Sequence, residues 1–381
     1  MKLFDVYPLM NITPVKAQGS YLWDSIGKKY LDLYGGHAVI SIGHSHPTYV
    51  KKLTEQLNQI AFYSNSVINP LQEELAIKLG ELSGYSDYKL FLCNSGAEAN
   101  ENALKLASFH NGRKKVIAFH NSFHGRTSLA VASTDDQKIN ANINKTHEVI
   151  FLPLNDHDAF LKEISNEICA VIIEGIQGVG GIKEPTTEFL QLLSSETKKH
   201  DALLILDEVQ SGYGRSGKFF AHQFAEISPD IITIAKGMGN GFPVAGVLIH
   251  PKIQSKYGLL GTTFGGNYLA CAASLAVLEV IKKENLIQNA CEIGENWIKE
   301  LKQIEGVQEV RGRGLMIGLQ FDFPIATIKK QLLEEFGILV GTASDPNVLR
   351  LLPALNITEK EIEIFNQALN HVLTNQLASI K

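Results

Sequence analysis

Through the middle of the chain, short apolar runs recur and stop abruptly on polar or charged residues. Lys89–Cys93, Val116–His120, Glu148–Leu152, Cys169–Glu174, Leu203–Asp207, Ile231–Ala235 and Ala245–His250 read as strands. Runs of this kind, with no polar face and with Gly, Pro or charge at their ends, fit buried parallel strands. Between several of them the apolar spacing becomes helical, as over Glu98–His110 and Thr187–His200. Strands alternating with helices predict an α/β fold with a mostly parallel sheet covered on both faces. After about Gly266 the pattern changes. Leu269–Lys283 and Ile287–Ile304 have the stripes of amphipathic helices, Val307–Phe321 reads as turn-rich strands, and a last helix follows Thr358. The expected division is an N-terminal arm with a hairpin over residues 1–35, a large domain over 36–266, and a smaller α+β domain over 267–381.

Composition narrows the function classes. The 381 residues are 45% hydrophobic and 20% charged, as in an ordinary soluble globular protein with room for two domains. The net charge is -5 and no Lys/Arg block stands out, so nucleic acid is not an expected partner. The opening MKLFDVYPLM carries Asp5 and lacks a long apolar core, so no signal peptide is expected. No apolar run reaches membrane-spanning length. Cys93, Cys169, Cys271 and Cys291 lie far apart with no CxxC spacing. That points to neither a zinc site nor a disulfide framework, and to a reducing cytoplasm.

The candidate chemistry sits at the ends of the strands, where open α/β sheets collect their ligands. Leu203–Asp207 delivers Asp207, followed by Glu208, Val209 and Gln210, and Ile231–Ala235 delivers Lys236. A lysine for a Schiff base and an acid for a pyridine nitrogen are what pyridoxal phosphate requires. Ser95-Gly96-Ala97 opens a helix, either as a simple N-cap or as a phosphate site built from helix-start amides. Phe123 and Arg126 follow another strand; the ring suits stacking on a flat cofactor, and the guanidinium suits a substrate carboxylate. His120 and His124 are four apart, but no HExxH glutamate accompanies them, so no metal site is expected. Glu174 ends a strand ahead of a glycine-rich loop, and Thr262 and Thr263 add hydroxyls in a second loop. Arg350 stands in an apolar stretch, as a second carboxylate clamp or an ordinary ion pair. Gly212–Lys218 matches both GxGxxG and GxxxxGK. It follows the acid-bearing strand rather than preceding it, and Phe219 replaces the Ser or Thr that magnesium needs, so it reads as a turn.

Taken together, these stretches resemble the class III (ω-type) aminotransferases, which are fold-type I pyridoxal phosphate enzymes. The likeness runs from Gly27–Asp32 and Gly43–Pro47 to Arg350–Pro353. Within the class it is nearest to acetylornithine aminotransferases, through Phe119–Arg126, Leu206–Gln210 and Thr263–Asn267. The resemblance implies transamination of N2-acetylornithine or N2-succinylornithine with 2-oxoglutarate in arginine biosynthesis. It implies that Lys236 carries the cofactor and moves the proton, and that Asp207 pairs with the ring nitrogen. Phe123 and Val209 would flank the ring and Gln210 would approach its phenolic oxygen. Ser95, Gly96 and Ala97 would hold the phosphate. Thr263 would reach the phosphate across a homodimer with shared active sites. Arg126, Arg350, Glu174 and Thr262 would face substrate, with Glu174 masking the neighbourhood of Arg350 when the acylated substrate binds.

The chain departs from that pattern at Ala97, where many relatives have threonine, and at Gly175 and Val179, where proline and glutamate are common. Ornithine, succinyldiaminopimelate and 4-aminobutyrate are the rival donors. A non-catalytic binding relative is the rival class, and the intact trio of Asp207, Lys236 and Phe123 speaks against it.

Overall fold

The computed structural model describes residues 1–380, the last four by backbone alone. Near the N-terminus β1 (Pro14–Gln18), β2 (Tyr21–Asp24) and β3 (Lys29–Asp32) pair in antiparallel sequence. The β2–β3 turn is closed by Asp24, whose carboxylate accepts from the Ile26 and Lys28 amides at 3.0 and 2.9 Å and from the Tyr30 hydroxyl at 2.7 Å. An aspartate holding its own turn in this way is an Asx-type device.

The central sheet contains β4 (Lys89–Cys93), β5 (Lys115–Phe119), β6 (Val149–Leu152), β7 (Ile168–Glu174), β8 (Leu203–Asp207), β9 (Ile231–Ile234) and β10 (Ala245–Ile249). Their spatial order is β4-β10-β9-β8-β7-β5-β6. All neighbours are parallel except β10, which runs against both β4 and β9. Every residue of β7, β8 and β9 is buried, which is why these strands read as unbroken apolar runs. Helix Gly96–Asn111 starts on Ser95, whose hydroxyl accepts from the Glu98 amide at 3.2 Å. Helix Thr187–Lys199 starts on Thr186 in the same way, at 3.1 Å from the Phe189 amide.

Two helices, Pro47–Gln59 and Pro70–Ser83, precede the central sheet and were not anticipated. The first is amphipathic but buries none of its residues fully. Both pack against helix Tyr268–Lys283.

Beyond helices Tyr268–Lys283 and Leu286–Leu301 come β11 (Glu309–Arg313), β12 (Met316–Gln320), helix Ala326–Glu334, β13 (Ile338–Leu339), β14 (Gly341–Thr342), β15 (Val348–Leu351) and helix Glu359–Ile380. Four of these strands form a sheet in the order β11-β12-β15-β14, whereas β13 pairs in parallel with β3 of the N-terminal arm. One hydrophobic cluster runs through Leu33, Leu75, Tyr213, Leu275, Trp297, Leu319 and Leu351, on both sides of residues 35 and 266. Among the described residues, no helix is long and apolar enough to cross a membrane.

Candidate active site

Because β4 lies parallel to β9 across the reversed β10, the carboxyl ends of β4, β5, β7, β8 and β9 share one edge of the sheet. Ten of the residues singled out in the sequence line one cavity of about 410 Å³ there: Ser95, Gly96, Ala97, Phe123, Arg126, Glu174, Asp207, Val209, Gln210 and Lys236.

Asp207 ends β8 and is 4% exposed. Its Oδ2 accepts from Asn100 Nδ2 and from His124 Nδ1, both at 2.7 Å. Its Oδ1 accepts from the Val209 amide at 3.0 Å. An ionised carboxylate only accepts, so the proton of His124 sits on Nδ1. Asn100 is itself fixed: it donates to the His124 carbonyl at 2.8 Å and accepts from the Thr233 hydroxyl at 2.6 Å. The acid is therefore locked by neighbours from a helix, a loop and β9.

Lys236 leaves β9 through Ala235, is half-buried at the cavity wall, and has φ of +45°. Burial pushes its pKa down; Arg350 adds to this, and Asp207 and Glu174 oppose it. An amine with a lowered pKa is a better nucleophile at neutral pH.

Glu174 ends β7 and bridges two loops. Its Oε1 accepts from the Phe123 amide at 3.0 Å and its Oε2 from the Gly178 amide at 2.9 Å. Burial pushes its pKa up from 4.5 to about 7. Gln210 joins the site to the C-terminal region. It donates to the His37 carbonyl at 3.0 Å and accepts from Arg350 Nη1 at 3.5 Å. Arg350, on β15, also donates from Nε to the Thr342 carbonyl at 2.6 Å. Among the described residues no carboxylate lies within ion-pair distance of Arg350, although it is 3% exposed.

The remaining sequence candidates sit apart from the cavity. Thr262 lies beside it: its hydroxyl accepts from Asn94 Nδ2 at 3.3 Å and from the Gly265 amide at 3.1 Å. Thr263 is exposed. Arg350 meets the cavity only through Gln210.

Sequence reasoning missed Asn100, Thr233 and His37 and gave His124 no role beyond a rejected metal ligand. Asn100 lies one turn along the helix from Gly96, on the face that opens to the cavity, and that spacing was the available signal. His37 carried none. It sits in a run of left-handed residues, Gly35 to Ala38, with φ between +56° and +68°, where His and Ala are strained. Its ring contacts the Tyr34 hydroxyl at 2.6 Å, and burial followed by Arg350 and Lys236 pushes its pKa down to about 4.

The residues fit pyridoxal phosphate. Asp207 is a locked carboxylate for a ring nitrogen, and Lys236 brings an amine to the cavity. Phe123 and Val209 are apolar walls. The first amides of helix Gly96–Asn111 have no carbonyl partners within the helix and suit a phosphate. A side chain on Gly96 would come within 2.7 Å of Val209 Cγ1, so glycine keeps this corner open.

Comparison with known proteins agrees with this reading. The family model described as aminotransferase class-III matches residues 5–373. Acetylornithine aminotransferase of Bacillus subtilis is 43% identical over 369 residues, which is 94% of each chain. The crystal structure of acetylornithine aminotransferase from Elizabethkingia anophelis superposes with a TM-score of 0.85 at 32% identity, covering 97% of this chain and 95% of that one. An ornithine aminotransferase from Toxoplasma gondii, described with partial occupancy of PLP at its active site, gives a TM-score of 0.88 at 29% identity over 96% and 91% of the two chains. The chain belongs to the class-III aminotransferases: it is a pyridoxal-phosphate-dependent enzyme of the fold-type I architecture, which moves an amino group from an amino donor to a keto-acid acceptor.

Proposed function

We propose that this enzyme transaminates an N2-acylated ornithine, acetyl or succinyl, with 2-oxoglutarate as acceptor, in cytoplasmic arginine biosynthesis. The observation that carries this reading is Arg350: a buried guanidinium, held by a carbonyl and an amide oxygen, with no carboxylate of its own. A cation in that state can be completed by a ligand carboxylate, and Gln210 connects this one to the cavity. Arg126, exposed at the cavity wall, offers a second.

Pyridoxal phosphate, when bound, supplies the electron sink for the carbon that loses its proton. The chain's own groups do the rest. Lys236 Nζ would hold the cofactor and then take and return the proton at the reacting carbon. Asp207, fixed by Asn100 and His124, would hold the proton on the ring nitrogen. Phe123 and Val209 would flank the ring, and Gln210 would approach its phenolic oxygen. Ser95, Gly96 and Ala97 would receive the phosphate. Glu174, close to Arg350 and able to change charge near neutral pH, adjusts the site between the two substrates. Thr262, which meets the cavity through Asn94, would approach the substrate.

The active unit in this reading is a homodimer, with Thr263 of the partner subunit reaching the phosphate. The exposed pair Phe62 and Phe264, with ring centroids 5.4 Å apart, supports a covered face beside Thr263. Mixing inactive Lys236→Ala and Thr263→Ala subunits restores activity if sites are shared, because one hybrid site is intact; no recovery would rule out sharing.

The substrate assignment is tested by single-turnover spectra of the cofactor-loaded enzyme with N-acetylornithine, N-succinylornithine, ornithine, succinyldiaminopimelate and 4-aminobutyrate, beside Lys236→Ala. Rapid bleaching with an acylated ornithine, and none in the variant, is expected. Preference for any donor other than an N2-acylated ornithine overturns the substrate and leaves the enzyme class intact.

A further inference from the structure

The Gly212–Lys218 stretch, left without a role above, forms a buried turn after β8, and its Arg215 is 2% exposed. The partners of this guanidinium are all backbone carbonyls. Nη1 donates to Leu315 at 3.3 Å and to Pro353, and Nη2 donates to Ile40 at 3.4 Å. The Leu315 amide in turn donates to the Arg215 carbonyl at 2.9 Å. No carboxylate neutralises it among the described residues. Burial pushes its pKa down to about 9, so it stays cationic at neutral pH.

A buried charge without a counter-ion is costly, and its loss of water must be offset by well-aimed dipoles. What those dipoles belong to gives the arrangement meaning. Ile40 follows the strained turn that ends in His37 and Ala38; Gln210 holds that turn through the His37 carbonyl, and Ser41 binds the Gly237 carbonyl at 2.7 Å, next to Lys236. Leu315 enters β12, which pairs with β15, and residue 318 faces Arg350 across that pairing. Pro353 lies three residues beyond Arg350 on the same segment. Two further backbone bonds tie that segment to the N-terminal part of the chain, Leu352 to Leu33 and Leu355 to Ser41, each at 2.7 Å.

We propose that Arg215 is a positioning residue that fixes the carboxylate-binding Arg350 relative to Lys236. One planar fork clamps the segment carrying Arg350, the strand beside it and the loop next to the lysine. Arginine suits this task because its donors are rigidly splayed in a plane, whereas a lysine offers one point of attachment. The inference rests on the reading of Arg350 as the substrate-carboxylate site. Its consequence is selective: disturbing Arg215 displaces the carboxylate anchor and leaves the cofactor cradle, built on β4, β5 and β8, in place.

The test measures two affinities on the purified full-length protein by calorimetry. One is for glutarate, an unreactive dicarboxylate of the acceptor's length, bound to the cofactor-loaded enzyme. The other is for pyridoxal phosphate bound to the apo-protein. Arg215→Lys and Arg215→Gln are compared with wild type and with Arg350→Lys. Glutarate affinity is expected to fall about tenfold or more in Arg215→Gln and less in Arg215→Lys, with cofactor affinity changed less than about twofold. Should Arg215→Gln not fold, the same selective loss is required of Arg215→Lys. Unchanged glutarate affinity in the foldable variants, or parallel loss of both affinities, overturns the proposal. If Arg350→Lys also binds glutarate normally, the reading of Arg350 itself has failed; if only the Arg215 variants do, the clamp alone is refuted.

Discussion

Glu174→Gln probes the buried carboxyl that joins the Phe123 loop to the glycine-rich loop. In the folded apo-protein burial holds this group at about 7, against 4.5 when unperturbed. Between those values the folded state binds the proton that the unfolded chain has released. Stability therefore falls as pH rises through the window and levels off above it. Each tenfold change in proton affinity corresponds to about 1.4 kcal/mol, so this group alone removes about 3 kcal/mol of stability between pH 4.5 and 7. Glutamine keeps the shape and cannot ionise. It also turns one amide NH₂ toward either the Phe123 or the Gly178 N–H, at a pH-independent cost of about 1–3 kcal/mol. Urea unfolding of both apo-proteins at several pH values from 4.5 to 8 measures the difference. Wild type should lead at the acid end, and its lead should shrink by about 3 kcal/mol toward pH 7. Parallel stability curves would falsify the claim that Glu174 is protonated in the folded protein near pH 6.

Three other predictions follow from the same geometry. Asn100→Ala removes one of the two donors to Asp207 Oδ2 and orphans the Thr233 hydroxyl; it should cost about 1–3 kcal/mol in denaturant unfolding. The same variant should bind cofactor about tenfold more weakly by absorbance titration, and wild-type affinity would show that Asp207 needs no such support. Gly178→Ala places a Cβ 1.8 Å from Gln210 Oε1, the atom that meets Arg350. The KM for 2-oxoglutarate should rise about tenfold with a smaller change in kcat, and a pure kcat effect would contradict the Gln210–Arg350 link. His37, held at about 4, is neutral above pH 5, so the ratio of kcat/KM between wild type and His37→Gln should stay flat from pH 5.5 to about 8; a bend near 6.5 would place its titration in the ordinary range.

The sequence by itself determined the strands of the central sheet and the polar residues at their ends. β7, β8 and β9 are buried on both faces, so burial wrote them as unbroken apolar runs whose ends, Glu174, Asp207 and the residues before Lys236, were visible as abrupt changes of polarity. The Ser95 cap and Gly96 beside it were legible for the same local reason. Other features had no local signature. The reversal of β10 depends on pairing with β4 and β9, which are distant in the chain. β13 is two residues long and exists because β3 lies alongside it. The locks on Asp207 come from Asn100 and His124, which are 107 and 83 residues away. The strained turn at His37 is held in place by Gln210, 173 residues on. Arg215 looked like part of a turn, and only the folded chain gathers Ile40, Leu315 and Pro353 around it. Periodicity and polarity are properties of neighbouring residues and can be read along a line. Hydrogen-bond partners, desolvation and backbone strain depend on distances that exist only once the chain has closed on itself.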